Sequence, residues 1–156
     1  MKKMQQNHNK ILVELINKTN SQNSKKFFKE LDLKVKKIIG HKLFTLMVVD
    51  KSLKYVERVY SSNVKAYPLL GTKPIPKNEW TKKVVLNKKN FLGKDMKTIK
   101  KLFFDHEVIS SLGCGSIINI PVINNNIILG TMNILHKEFY YNSDTCLLYT
   151  SPSPRD

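Results

Sequence analysis

Two apolar segments near the C-terminal end, separated by three consecutive asparagines, restrict the fold of this chain more than any other feature. Residues 116–123 and 127–136 are short and rich in β-branched side chains, which predicts two strands. Asn124-Asn125-Asn126 predicts the turn of a hairpin, because asparagine tolerates left-handed backbone. Apolar side chains occupy both alternating positions of each strand, so both faces of the sheet need cover.

Two helices are predicted before the first strand. Residues 4–18 carry apolar side chains at helical spacing, namely Ile11, Leu12, Leu15 and Ile16. A second helix is expected from a cap at Ser24 to about Ile39, where Gly40 ends it. Its apolar stripe consists of Phe27, Phe28, Leu31, Val35 and Ile38.

The apolar pattern then changes from helical to strand spacing. Residues 43–49 and 55–60 predict strands joined by a turn at Asp50-Lys51-Ser52. Short elements are expected in the long stretch 61–115: a helix marked by Trp80, Val84 and Val85, a strand at 91–93, and helices capped by Asp95 and Asp105, the last ended by Gly113. This order predicts an α+β layered domain.

The formal net charge of +15 raises the question of nucleic-acid binding. Arginine, whose fork suits phosphate and base recognition, occurs only at Arg58 and Arg155. Lysine, asparagine and isoleucine have AT-rich codons, so we expect an AT-rich genome to account for most of the charge. Any nucleic-acid binding is therefore expected to be weak, non-specific and sensitive to salt.

The N-terminal residues lack the apolar stretch of a signal peptide, and no apolar run reaches the roughly 18 residues of a membrane span. We therefore expect no membrane contact and a cytoplasmic location.

Residues 146–156 are expected to be a translated sequencing adapter, because the adapter of tagmentation libraries can encode every one of them; a natural Ser/Pro-rich tail is the alternative. Outside them Cys114 is the single cysteine, which fits a reducing compartment.

The motif SLGCGSIINIPV at 111–122, followed by ILGTMNILH at 128–136, resembles the closing strands of GAF domains. Further matches are HKLFT at 41–45, GTKP at 71–74, Trp80, and DHE at 105–107. Together they resemble small bacterial proteins that consist of little more than one GAF domain. The domain is expected to span 24–145, after an N-terminal helix and polar leader at 1–23.

The resemblance implies a central antiparallel sheet with terminal helices on one face. Short helices and loops would roof a pocket on the other face. GAF domains bind small ligands in this pocket, such as cyclic nucleotides, bilins or metabolites. The C-terminal helix of the family is missing from the sequence, which we expect to be truncated.

Several residues allow a chemical and a structural interpretation. Cys114 would be the nucleophile of a GAF-type reductase of an oxidised metabolite, but no second cysteine is expected to resolve it, and a buried structural thiol is favoured. Asp105 and Glu107 form either a catalytic pair or, as favoured, a helix cap and a first-turn acid. The histidines show no metal-ligand spacing.

The candidate ligand-binding residues are the aromatic and polar side chains expected near the roofed pocket: Tyr67, Thr72, Trp80, His106, Asn119, Asn133 and His136. Asn119 and Asn133 each place an amide inside an apolar strand, where it must be hydrogen-bonded to protein or ligand. The favoured function is a non-enzymatic sensory domain that binds a small molecule of unknown identity and signals through a partner or a homodimer. No cofactor is identified.

Overall fold

The computed structural model describes residues 22–143. The predicted leader helix and the 146–156 segment lie outside the described residues, and the proposed domain boundaries remain predictions. The elements in chain order are α1 (Gln22–Ile38), β1 (Leu43–Val49), β2 (Tyr55–Ser61), β3 (Lys73–Pro74), a π-helical segment α2 (Thr81–Leu86), β4 (Phe91–Gly93), α3 (Met96–Leu102), α4 (His106–Ser111), β5 (Ser116–Asn124) and β6 (Ile127–His136).

The strands form one six-stranded sheet in the order β3-β2-β1-β6-β5-β4, and every neighbouring pair is antiparallel. This confirms the α+β class and the predicted hairpin of β5 and β6. The turn itself uses Asn125 and Asn126, whose φ angles are 50° and 62°. Two left-handed residues match the right-handed twist of a hairpin, which explains the asparagines.

The sheet is buried on both faces, as the hairpin predicts. On the face that we call the helix face, α1 and the segment after β6 cover a cluster of buried side chains: Phe28, Val35, Phe44, Leu46, Ile118, Val122, Ile134 and Tyr141. On the opposite face, the roof face, the segment 62–115 covers a second cluster that includes Leu43, Trp80, Val84, Val85, Ile99, Leu102, Ile109, Ile117 and Leu135. Successive residues of each central strand alternate between the two clusters.

One buried polar cluster lies on the helix face. The carboxylate of Asp32 in α1 lies 2.6 Å from Nε2 of His41 and accepts a hydrogen bond from the Tyr60 hydroxyl at 2.6 Å. The His41 ring stacks on Phe44, with 5.7 Å between the centroids. These contacts tie α1 to β1 and β2, and they show that the stripe of α1 is not purely apolar.

The structure corrects three local predictions. Ser24 lies inside α1, fully buried, so it is not the cap. Ile38, the last residue of α1, is 61% exposed and is therefore not part of the buried stripe. Asp105 precedes α4 but makes no capping hydrogen bond, whereas Asp95 caps α3 through Thr98 N at 2.9 Å as predicted.

No helix within residues 22–143 is long and apolar enough to cross a membrane.

Gly130 is the point of closest approach between β6 and β1. A Cβ atom added there would lie 2.1 Å from the carbonyl oxygen of Met47, which is part of the neighbouring strand. We expect Gly130→Ala to destabilise the fold by at least about 1–3 kcal/mol, because the backbone of β1 must move. Gly71→Ala is the matched control, since no atom lies within 4 Å of its added Cβ. Urea unfolding of both variants measures the difference; equal midpoints would contradict the close approach.

Candidate functional site

A cavity of about 90 Å³ lies between the roof face of the sheet and the segment that covers it. One water molecule needs roughly 10–15 Å³ on this scale, so the cavity has room for several. Its lining is mostly apolar and comes from β1, β2, β3, β5, β6 and the roof: Leu43, Thr45, Met47, Val56, Arg58, Tyr67, Lys73, Pro74, Ile75, Pro76, Trp80, Leu102, Phe103, Phe104, Asp105, Ile109, Ile117, Asn119, Asn133 and Leu135.

A chain of buried hydrogen bonds forms the polar floor of the cavity. Nε1 of Trp80 donates to Oδ1 of Asn119 at 2.9 Å. Nδ2 of Asn119 donates to Oδ1 of Asn133 at 2.6 Å, and Nδ2 of Asn133 donates to Oγ1 of Thr45 at 3.0 Å. The two amides and the hydroxyl lie on three adjacent strands, in direct cross-strand register. The floor therefore links the roof residue Trp80 to the centre of the sheet.

Three charged side chains line the same cavity. Arg58, on β2, is only 7% exposed; its Nη1 donates to the carbonyl oxygen of Pro68 at 2.7 Å, and its Cζ lies 3.9 Å from the centroid of the Tyr67 ring. The Lys73 ammonium lies 4.1 Å from the centroid of the Phe104 ring. Asp105 comes from the loop before α4. The cavity thus combines two cations with one acid.

Burial shifts the pKa of each of these groups toward its neutral form. Burial and then the charge of Arg58 lower the pKa of Lys73. Burial raises the pKa of Asp105, although the nearby charge of Arg58 opposes this. Burial also lowers the pKa of Arg58, whose guanidinium nevertheless stays charged at neutral pH. The charged forms of these side chains are therefore less favourable in the cavity than in water.

No protein-family model and no curated protein matches the sequence. Solved structures do match the fold. The GAF domain of a two-component sensor histidine kinase from Bacillus halodurans has a TM-score of 0.63 at 15% identity, covering 83% of this chain and 85% of that one. The GAF domain of a phosphoenolpyruvate-protein phosphotransferase from Coxiella burnetii has a TM-score of 0.63 at 13% identity, covering 90% and 84%. The chain has the GAF-domain fold.

The NreA protein from Staphylococcus aureus, in a form mutated in its nitrate binding site, is also similar to this chain in fold. Its TM-score is 0.54 at 13% identity, and the match covers 74% of this chain and 86% of that one. The fold predicted from the hairpin motif and its upstream matches is therefore confirmed.

The cavity brings together four of the seven candidate residues: Tyr67, Trp80, Asn119 and Asn133. The other three are not part of its lining. Thr72 is exposed in the loop before β3, and His106 begins α4, one residue after the cavity residue Asp105. His136 follows Leu135 on β6 and therefore points to the opposite side of the sheet, where its ring stacks on Tyr140 at 3.6 Å.

Arg58, Lys73 and Thr45 were not among the sequence candidates, and Asp105 was expected only as a cap. Arg58 could have been identified from the sequence, because it lies two residues after Val56 and therefore on the same, buried face of β2. An arginine in the apolar register of a strand must meet a partner or a cavity. Lys73 and Thr45 could not be identified as site residues in this way, since lysines abound in the sequence and threonine is common in strands.

Cys114 has the character of a structural thiol. It is 4% exposed, it is free, and burial raises its pKa from 9.0 to about 11. The thiolate, which is the nucleophilic form, is therefore rare at neutral pH. Within residues 22–143 no group of three His, Cys, Asp or Glu side chains is arranged to hold a metal ion.

We expect the melting temperature of the wild-type chain to fall more steeply with pH than that of Cys114→Ala between pH 9 and about 11. The unfolded thiol ionises near 9.0, whereas the folded thiol keeps its proton until about 11. The stability contributed by the neutral thiol is thus present below pH 9 and lost as the pH rises through 11. All other titrating groups are shared, so parallel curves for the two proteins would contradict the burial of this thiol.

The polar floor predicts different outcomes for two isosteric substitutions. Thr45→Val leaves Nδ2 of Asn133 without its acceptor and should destabilise the fold by about 1–3 kcal/mol. Thr131 lies on the same face of β6, and its buried hydroxyl has no hydrogen-bond partner among the described residues, so Thr131→Val should cost nothing. Urea unfolding compares the variants; equal losses would mean that the floor does not depend on the Thr45 hydroxyl.

Proposed function

We propose that this GAF domain is a non-enzymatic sensory module that binds a small molecule in the cavity between the roof and the sheet. The observation that carries the proposal is the combination of a partly open, mostly apolar cavity with a fixed polar floor. Binding sites for small molecules have this composition: apolar walls exclude water, and a few placed polar groups orient the ligand.

The floor is suited to this role because its donors and acceptors are already held in place. Both asparagines are bonded within the protein, so the network is stable without a ligand. A carbonyl oxygen still has a second lone pair, which leaves acceptor capacity at Asn119 and Asn133 for a ligand donor. A ligand would therefore meet a preorganised surface and would not have to order it.

A ligand bound in the cavity would change the conformation of the roof. Trp80, Phe103 and Asp105 line the cavity from above, and they belong to the short elements between β2 and β5. A ligand that contacts both these side chains and the sheet would tie the roof to the floor. We propose that the resulting change in the roof is passed to a partner protein or to a second copy of the chain.

The similar structures support a sensory role. They include GAF domains of a sensor histidine kinase and of a phosphotransferase, and a methyl-accepting chemotaxis protein matches with a TM-score of 0.52 at 12% identity. The buried Cys114, with its raised pKa, supports a binding function over a thiol-based reductase. A cytoplasmic location is part of the proposal, because a free cysteine suits a reducing compartment.

The proposal is tested by a thermal-shift screen of metabolites on the full chain. A ligand that binds only the folded state stabilises it by about 2.7 kcal/mol at a hundredfold excess over its dissociation constant. We expect the shift to be lost in Thr45→Val, whose substitution disturbs the floor, and kept in Thr131→Val. A ligand that shifts both variants equally binds outside the cavity. That result, or the absence of any ligand, would overturn the proposal.

A further inference from the structure

Arg58 has unused hydrogen-bonding capacity beside the cavity. A guanidinium carries five N–H donors, and the structure gives this one a single hydrogen bond, from Nη1 to the Pro68 carbonyl. Its Nε is fully buried and has no partner among the described residues. A buried donor without an acceptor is costly, so this arrangement favours a ligand that supplies one.

The neighbours of Arg58 restrict how such an acceptor can approach. The Tyr67 ring covers one face of the guanidinium at 3.9 Å, and Pro68 occupies the Nη1 side. The edge formed by Nε and Nη2 is left. Two parallel N–H donors along one edge are the geometry that a carboxylate accepts in bidentate fashion.

The charges around the cavity indicate how many negative charges the ligand carries. Lys73 lines the same cavity as Arg58, and burial and then the charge of Arg58 lower the pKa of Lys73. No carboxylate oxygen in the described part of the chain comes within 4.0 Å of either cation; the one pair at that distance joins Asp32 and His41. Counted at their formal charges, two cations and one acid leave a single positive charge, which a monoanion neutralises.

The rest of the lining indicates what is attached to that anion. Apart from the charged side chains and the polar floor, the lining is mostly apolar and includes Leu43, Phe103, Ile109, Ile117 and Leu135. A fully hydrated inorganic anion would lose its water there without apolar contact in return. A ligand with an apolar body gains from these walls, because its own apolar surface leaves water.

We propose that the cavity takes a small monocarboxylate with an apolar body, its carboxylate held by Arg58 and Lys73 and its body against the apolar walls. This inference rests on the proposed function and names the ligand class of the same site. The ammonium of Lys73 acts as a point charge, whereas Arg58 fixes the orientation of the carboxylate plane. The floor around Asn119 and Asn133 would then contact the far end of the ligand and distinguish among such acids.

The test is isothermal titration of the full chain with three acids, acetate, isobutyrate and benzoate, and with the amide of each. Acid and amide have nearly the same shape and differ in charge. We expect at least one acid to bind, and its amide to bind about tenfold more weakly or worse, because the amide forms no ion pair with Arg58 and has an NH₂ group in place of one acceptor oxygen. The acid with the larger apolar body should bind more tightly than acetate.

Variants separate the two cations from the general positive charge of the surface. Arg58→Gln should weaken the binding of the acid at least about tenfold and that of the amide less. Lys73→Gln should act in the same direction with a smaller effect. Lys77→Gln is the matched control, since Lys77 is exposed in the same segment and is not part of the cavity lining. If Arg58→Gln does not fold, Lys73→Gln, whose side chain is partly exposed, decides the test.

Failure of this inference is distinguishable from failure of the proposed function. If the amides bind as tightly as the acids, if inorganic nitrate or phosphate binds more tightly than every acid, or if Lys73→Gln and Arg58→Gln keep full affinity, the ligand class is wrong. If none of the acids binds while the metabolite screen finds a neutral ligand that needs Thr45, the inference falls and the proposed function stands. If neither experiment finds a ligand, both fall.

Discussion

A sheet with apolar side chains on both faces has to be covered on both faces, and the two covers of this domain differ in a way that creates the site. On the helix face, α1 places Phe28 and Val35 directly against the strands and leaves a filled core. On the roof face, the cover consists of short elements and loops, which cannot follow the sheet surface continuously. The cavity of about 90 Å³ is the space that such a cover leaves.

The buried polar groups beneath this cover stabilise one another through hydrogen bonds. A buried amide without partners is costly, and the floor satisfies its amides by linking Trp80, Asn119, Asn133 and Thr45 across three strands. Because the donors and acceptors face each other only in the observed register, the same network disfavours a one-residue slip of β5 or β6. The residues that line the cavity thus also fix the sheet on which the cavity rests.

The sequence predicted the sheet better than the cavity. β1 and the hairpin have strong local patterns, and their bounds in the structure agree closely with the prediction, as do those of the short strand β4. The candidate site was predicted in part: Tyr67, Trp80, Asn119 and Asn133 line the cavity, whereas Thr72, His106 and His136 do not. The side of the sheet that His136 faces depends on strand register at the end of β6. The orientation of the Asp105 side chain depends on how α4 packs, and in the sequence Asp105 looks like an ordinary helix cap.

The sequence by itself determined the class of the fold, because side-chain periodicity and turn chemistry act over a few residues. It fixed the two-sided sheet, the hairpin turn at Asn125-Asn126, and the helix ends at Gly40 and Gly113, where the backbone is left-handed. Only the tertiary structure decided which charges meet. Arg58 on β2, Lys73 on β3 and Asp105 before α4 are far apart in the chain, and they share one cavity because the roof folds back over the sheet. No local pattern encodes that meeting, since it depends on long-range packing of segments whose own sequences only indicate short helices and loops.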